Sequence, residues 1–291
     1  MKNILFLGCS FSALYYHPDP RWSYTYKVMK DLGFDRMINL SVAGASPSTL
    51  NRILLSYINN PVYGWPDFVF AQFPYAYRNE YYLDHNEEPH MKDIVAWYED
   101  FDKSCWHQDE NVNLKDRTFD HLPWDQLKQE ITCVARTRMR ERLDVLQEHY
   151  RITDHSTIAV TNLQVGRASA KTFEQHHKNH LMLFAPWTQQ SYNLHVEVGR
   201  FESICYKQGF KYAYIESDQR PSCLKNETVR EKNPDAWDYF QLLCSKEHFI
   251  PDISVSNDSD DCVDVYKDGH PGQISHSTVA TRLAPLIKEH L

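Results

Sequence analysis

Up to Phe73 the hydrophobic pattern alternates between two periods. Ile4-Leu5-Phe6-Leu7 is a short apolar run rich in strand-forming residues, and it stops at Gly8. Trp22 to Leu32 carries apolar residues at helical spacing and ends before Gly33, which predicts a helix. Met37 to Leu40 predicts a second strand. Ser48 is placed to cap a helix over Thr49 to Asn59, with Leu50, Ile53, Leu54 and Tyr57 on one face. Phe68 to Phe73, introduced by Pro66-Asp67, predicts a third buried strand. Strands and helices in this order predict an α/β fold, a parallel sheet with helices on both faces.

From Pro74 the rhythm breaks. Residues 75–125 are rich in Tyr, Trp, His, Asp and Glu and follow neither period. A large irregular insertion after the third strand is expected, because a wound sheet needs no such length between elements. Gln126 to Tyr150 spaces Ile131, Ala135, Met139, Leu143 and Leu146 along one face, which predicts a helix. Its Arg136, Arg138, Arg140, Glu141 and Arg142 read as a solvated opposite face. Residues 155–190 show no decisive period, and 126–190 is expected to be mostly helical. The alternation then returns. A helix over Val196 to Gln208 stops at Gly209, a strand covers Phe210 to Glu216, and a helix over Asn233 to Lys246 has Pro234 just inside its start. A polar, aspartate-rich loop at 251–266 precedes a closing helix over Ser277 to His290. The whole of 1–291 reads as one domain.

Hydrophobic content of 42% and charged content of 24% suit a globular chain with a real core. The net charge of −8, from 31 basic and 39 acidic residues, argues against a nucleic-acid surface. Seven cysteines, at 9, 105, 133, 205, 223, 244 and 262, form no CxxC pair, so zinc ribbons and redox motifs find no support. Their odd number and scatter suit buried thiols in a reducing compartment. The Ile4–Leu7 run is too short for a signal peptide or a membrane span. The expectation is a cytoplasmic protein that engages no membrane and needs no cofactor.

Two ends of the chain carry the candidate chemistry. Gly8-Cys9-Ser10-Phe11-Ser12 delivers hydroxyls at the carboxyl end of the first strand, where open α/β sheets place their sites. Asp268-Gly269-His270-Pro271 supplies an acid and an imidazole just before the last helix. Serine needs a base to take its proton, and the base needs an acid to hold its tautomer. Ser10, His270 and Asp268 fill those roles. The backbone amides of Ser10 and Gly44 and the side chain of Gln72 are candidate oxyanion donors. Arg78 and Glu80 read as an ion pair beside the site. Cys9 is the alternative nucleophile, with nothing to favour it over Ser10. His176, His177 and His180 lack a metalloprotease glutamate and read as a polar helix face. Asp258, Asp260, Asp261 and Asp264 lack the EF-hand glycine and terminal glutamate and read as a solvated loop. No metal is expected.

Gly8-Cys9-Ser10-Phe11-Ser12 resembles the first block of the SGNH (GDSL-type) hydrolases. Asn39-Leu40-Ser41-Val42-Ala43-Gly44-Ala45-Ser46 resembles their second block, and Asp268 to Pro271, with His276 and the final helix, their last. Arg78-Asn79-Glu80 matches an Arg-x-Glu of a divergent Gly-Cys-Ser-Phe subset found partly in bacteriophages. The resemblance covers roughly residues 1–80 and 250–291. It implies a flavodoxin-like three-layer α/β/α sandwich and a serine esterase acting through an acyl-enzyme, with a small acyl group on a carbohydrate as substrate. By position it implies Ser10 as nucleophile, His270 as base, Asp268 as its orienter and Gly44 as oxyanion donor. Three departures stand out. Cys9 replaces the usual aspartate, one residue rather than two separates Asp268 from His270, and Ala71-Gln72-Phe73-Pro74 lacks the third block's glycine and asparagine. Losing an oxyanion donor costs on the order of a hundredfold in rate. The alternative expectation is therefore an SGNH-fold structural or adsorption protein with weak or no catalysis, such as one of a phage particle, with virion or homo-oligomer partners.

Overall fold

The computed structural model describes residues 2–13, 20–41, 45–59, 61, 63–76, 79–82, 131–133, 157–160, 187–217, 223–225, 227–255, 260–265 and 270–291. In chain order the strands are β1 (Asn3–Leu7), β2 (Arg36–Asn39), β3 (Phe68–Phe73), β4 (Asn79–Tyr82), β5 (Ile131–Cys133), β6 (Thr157–Val160) and β7 (Lys211–Glu216). The helices are α1 (Tyr24–Asp31), α2 (Pro47–Asn59), α3 (Trp187–Gln208), α4 (Glu227–Lys232), α5 (Pro234–Gln241) and α6 (Gln273–Lys288). Five strands form one sheet in the order β5-β2-β1-β3-β7, and every pair in it is parallel. An isolated parallel bridge, Tyr214 to Phe249, continues it beyond β7. The mixed α/β class expected from the alternation is the one observed.

The central strand shows why the sheet forms. Ile4, Leu5, Phe6 and Leu7 have no exposed surface, and each such side chain contributes roughly 1.5–3 kcal/mol by leaving water. A strand buried on both faces needs helices on both. The chain leaves β1 for β2 on one side and returns past it to β3 on the other. Right-handed crossovers then place α1 and α2 on opposite faces. α1 packs with α6, and α2 packs with α3. Phe6 meets Tyr24 of α1 and Phe70 of β3 at ring distances of 6.4 and 5.6 Å, joining sheet to helix.

Several elements depart from expectation, each for a local reason. Residues 131–133 are a strand on the open edge of β2, not part of a helix. The run Ile131-Thr132-Cys133 begins with two β-branched residues, and a free strand edge outweighs the helical spacing around it. Residues 79–82, expected to be irregular, pair antiparallel with β6 in a separate two-stranded sheet. The cap of α2 is Ser46, not Ser48. Its hydroxyl accepts from the Thr49 amide at 3.2 Å, and Pro47 occupies the first turn. α3 begins at Trp187 rather than near Val196.

α5 stops at Gln241, short of Lys246, because the chain turns back onto α3. There the Ser245 and Lys246 amides donate to the buried Glu202 carboxylate at 2.6 and 3.0 Å. Lys246 takes a positive φ of 58° to do so. Gly199 permits the crossing, since a Cβ on it would lie 1.9 Å from the Leu243 carbonyl oxygen. Among the described residues no helix is long and apolar enough to cross a membrane.

Candidate active site

The first-strand turn is held from below by one amide side chain. Gln72, at the end of β3, is fully buried. Its Oε1 accepts from the Cys9 amide at 3.3 Å and from Ser12 Oγ at 2.5 Å. Because Oε1 can only accept, the Ser12 proton points to it, and Tyr24 must donate its phenolic proton to Ser12 Oγ across 2.5 Å. Burial pushes the Tyr24 phenol far above its ordinary pKa, which keeps that proton in place. Two further bonds close the turn, Ser12 N–H to Cys9 O at 3.1 Å and Ala13 N–H to Ser10 O at 3.3 Å.

Gly8 is required here by space. A Cβ would lie 2.5 Å from Ser12 Oγ and 2.7 Å from Gln72 Oε1. Asn39, at the end of β2, then links the two loops at this edge. Its Nδ2 donates to Ser12 O at 2.8 Å, and its Oδ1 accepts from Ser41 N–H at 3.0 Å.

The product of this scaffold is Ser10, lifted one position past the buried Cys9 and 8% exposed, while Ser12 is sealed. The imidazole arrives from the far end of the chain. His270 is half-buried, and its ring meets Phe11, the neighbour of Ser10, edge-on at 5.4 Å. Tyr75, just past β3, touches the same Phe11 ring at 6.3 Å. Ser10 and His270 are thus brought to one sheet edge, although no hydrogen bond joins Ser10 Oγ to the ring among the described residues. Asp268, Gly44 and Arg78 lie outside the described residues, as does the side chain of Glu80.

Gln72 differs from its expected place. Its amide nitrogen donates to Ser217 Oγ and lies 3.5 Å from Cys9 Sγ, so both N–H groups point into the protein. In this geometry Gln72 supports the turn from beneath instead of facing a reacting carbonyl.

The loop that presents His270 is fastened by Asp264. The bridge Val265 to Pro271 closes it, and the Gly272 amide donates to Asp264 O at 2.8 Å. The Asp264 carboxylate accepts from the Ile274 and Ser275 amides at 3.1 and 2.7 Å and from Ser275 Oγ at 2.5 Å. Burial pushes this carboxyl up, but the bonds from Ser275 and Ile274 outweigh it and hold the pKa below its ordinary value. An acid at a helix start also suits the helix dipole. Asp264 is thus the N-terminal anchor of α6, and Asp261 pairs with Arg282, so neither is a loosely solvated loop acid.

His276 has a structural place. Its Nδ1 accepts from the Tyr24 amide at 3.1 Å, and its ring stacks on Tyr24, which ties α6 to the start of α1. Sequence reading missed Ser12, Tyr24 and Asn39 as organisers of the site. Their partners lie 12 to 60 residues away, and only their being polar inside apolar surroundings marks them.

A cleft of about 310 Å³ opens between the start of α2 and the first half of α3, lined by Pro47, Ser48, Ala76, Tyr192, Asn193 and Glu197. Pro47 and Ala76 follow β2 and β3, so the cleft lies towards the same carboxyl edge as Ser10. Compared with protein-family models, curated proteins and solved structures, the chain finds no match in any of the three.

Proposed function

We propose that the chain is a serine ester hydrolase of SGNH type. The observation that carries this reading is the meeting of the Ser10 turn, at the end of the central strand, with the His270 ring from the other end of the chain. The sheet order supports it too. β2-β1-β3-β7, continued by the Tyr214–Phe249 bridge, follows the flavodoxin-like order 2-1-3-4-5, and β5 adds to the outer edge of β2. On this reading the helix pairs α1–α6 and α2–α3 would form the outer layers of a flavodoxin-like three-layer α/β/α sandwich.

In the reaction, Ser10 Oγ attacks the ester carbonyl carbon while His270 takes the hydroxyl proton. Negative charge collects on the carbonyl oxygen and is stabilised by the Ser10 backbone amide, with Gly44 the second donor that the SGNH resemblance implies. Collapse breaks the bond to the alcohol oxygen, which leaves with the proton from His270. Water, deprotonated by His270, then attacks acyl-Ser10 and releases the acid. Asp268 fixes the imidazole tautomer throughout. Loose contact between nucleophile and base before substrate arrives is common in free enzymes. The cleft beside α2 offers room for a small acyl group or one sugar ring, with Asn193, Ser48 and Glu197 to bond hydroxyls. A small acyl ester of a carbohydrate fits that chemistry best.

A second reading has support in the same site. The inward-facing Gln72 amide and the absence of a Ser10–His270 bond also suit a chain that keeps the fold for a structural or adsorption role, with weak or no turnover. Covalent capture separates the two: a fluorophosphonate probe labels Ser10 if the site works and leaves the chain unlabelled if it does not.

A further inference from the structure

At the opposite end of α6 from the His270 loop, two histidines from distant parts of the chain face one another. His248 Nδ1 and His290 Nδ1 are 3.2 Å apart, with ring centroids 5.2 Å apart. Both residues are half-buried, so the pair is fixed yet reachable from solvent. Each sits on a held backbone. The Tyr214 amide of β7 donates to His248 O at 3.1 Å, and the His248 ring packs on Tyr212 at 4.3 Å. The His290 amide donates to Ile287 O at 2.9 Å, continuing the last turn of α6. Glu247 and Glu289 flank the pair, and both carboxylates act electrostatically on His290.

A metal bound by two imidazoles at roughly 2.0–2.1 Å, with ligand angles between octahedral and tetrahedral, sets its two nitrogens about 2.9–3.4 Å apart. The observed separation lies inside that span. We propose that His248 and His290 form a two-imidazole chelate for a divalent transition-metal ion such as Zn²⁺, clamping the end of α6 to the β7 edge. Among the described residues no three His, Cys, Asp or Glu side chains converge, so water completes the coordination, with Glu247 and Glu289 supplying negative charge nearby. Imidazole ligands favour Zn²⁺ and Ni²⁺ over Mg²⁺, which takes oxygen ligands. The same 3.2 Å also fits an N–H···N hydrogen bond between neutral rings, and the experiment must tell these apart.

The test is calorimetric titration of the chelator-stripped full chain with ZnCl₂, NiCl₂ and MgCl₂. His248→Gln and His290→Gln variants, both at half-buried positions, are checked for fold by circular dichroism. Expected are one site of micromolar affinity for Zn²⁺ and Ni²⁺, none for Mg²⁺, and at least about a tenfold loss in either variant, in line with removal of one of only two protein ligands. Saturating Zn²⁺ should also raise the wild-type Tm by about 2–4 °C, and leave both variants unchanged. Absence of binding would reduce the pair to a hydrogen bond and overturn the proposal. Binding that survives both substitutions would put the metal elsewhere, as on His176, His177 and His180, and would overturn it equally.

Discussion

Replacing Gln72 with leucine tests whether one buried amide holds the turn that presents Ser10. Leucine is close in volume and fills the space, so the change removes bonds more than packing. It leaves the Cys9 amide and the Ser12 hydroxyl, which now donate to Oε1 at 3.3 and 2.5 Å, with no acceptor in a fully buried place. A buried donor left unpaired costs roughly 1–3 kcal/mol. The Ser12 hydroxyl can turn and recover part of its loss, so about 2–4 kcal/mol is expected in total.

Ser12→Ala alone should cost about 1–2 kcal/mol, because it removes the group between Tyr24 and Gln72. The double variant should lose less than the two single losses combined, by about 1 kcal/mol, since with Ser12 gone there is no orphaned hydroxyl. Urea unfolding followed by tryptophan fluorescence gives all three values from their midpoints. Gln72→Leu within about 0.5 kcal/mol of wild type, or strict additivity with Ser12→Ala, would refute the claim that this cluster is a unit.

Two further outcomes follow from other parts of the scaffold. Asp264→Ala removes three hydrogen bonds at the start of α6 and should cost about 0.5–2 kcal/mol by urea unfolding. Because the native carboxyl is held below its ordinary pKa, that contribution is present above the carboxylate range and fades as pH falls through the native value, so wild type and variant should converge in acid. His195 also lowers stability towards acid, for a different reason and over a higher pH range. It is fully buried, its Nδ1–H bonds Ser191 O at 2.7 Å, its Nε2 has no hydrogen-bond partner among the described residues, and burial pulls its pKa down to about 4. The unfolded chain takes up this proton near pH 6.5 while the folded chain does not, so stability falls between about pH 7 and 4, by up to about 3 kcal/mol. His195→Phe should show less of this fall; equal acid profiles for the two proteins would contradict the assignment.

The parts of the fold legible in the sequence are those written in local apolar patterns. Phe68 to Phe73 is read residue for residue, because six buried positions in a row admit few alternatives. The strand at 131–133 is hidden inside a longer stretch of helical spacing, since its reason to be extended is the edge of β2, about ninety residues earlier. The start of α3 at Trp187 carries no cap signal and is missed for that reason.

The site divides in the same way. Ser10 and His270 announce themselves by residue type after a strand and before a helix. What holds them does not: the role of Gln72 depends on Ser12 and Ser217, which lie 60 and 145 residues away. Asp264 is one of several loop aspartates in sequence, and only the helix start it meets distinguishes it.

The most direct test of the account is fluorophosphonate labelling of the purified chain, with the modified residue mapped by mass spectrometry at several pH values from 6 to 9. A serine activated by His270 should be labelled stoichiometrically at Ser10, not at the sealed Ser12. Labelling should vanish in Ser10→Ala and slow by at least about a hundredfold in His270→Ala, as expected when a general base is lost. An unlabelled Ser10 across that range, or labelling indifferent to His270, would contradict a working triad and leave the structural or adsorption reading in its place.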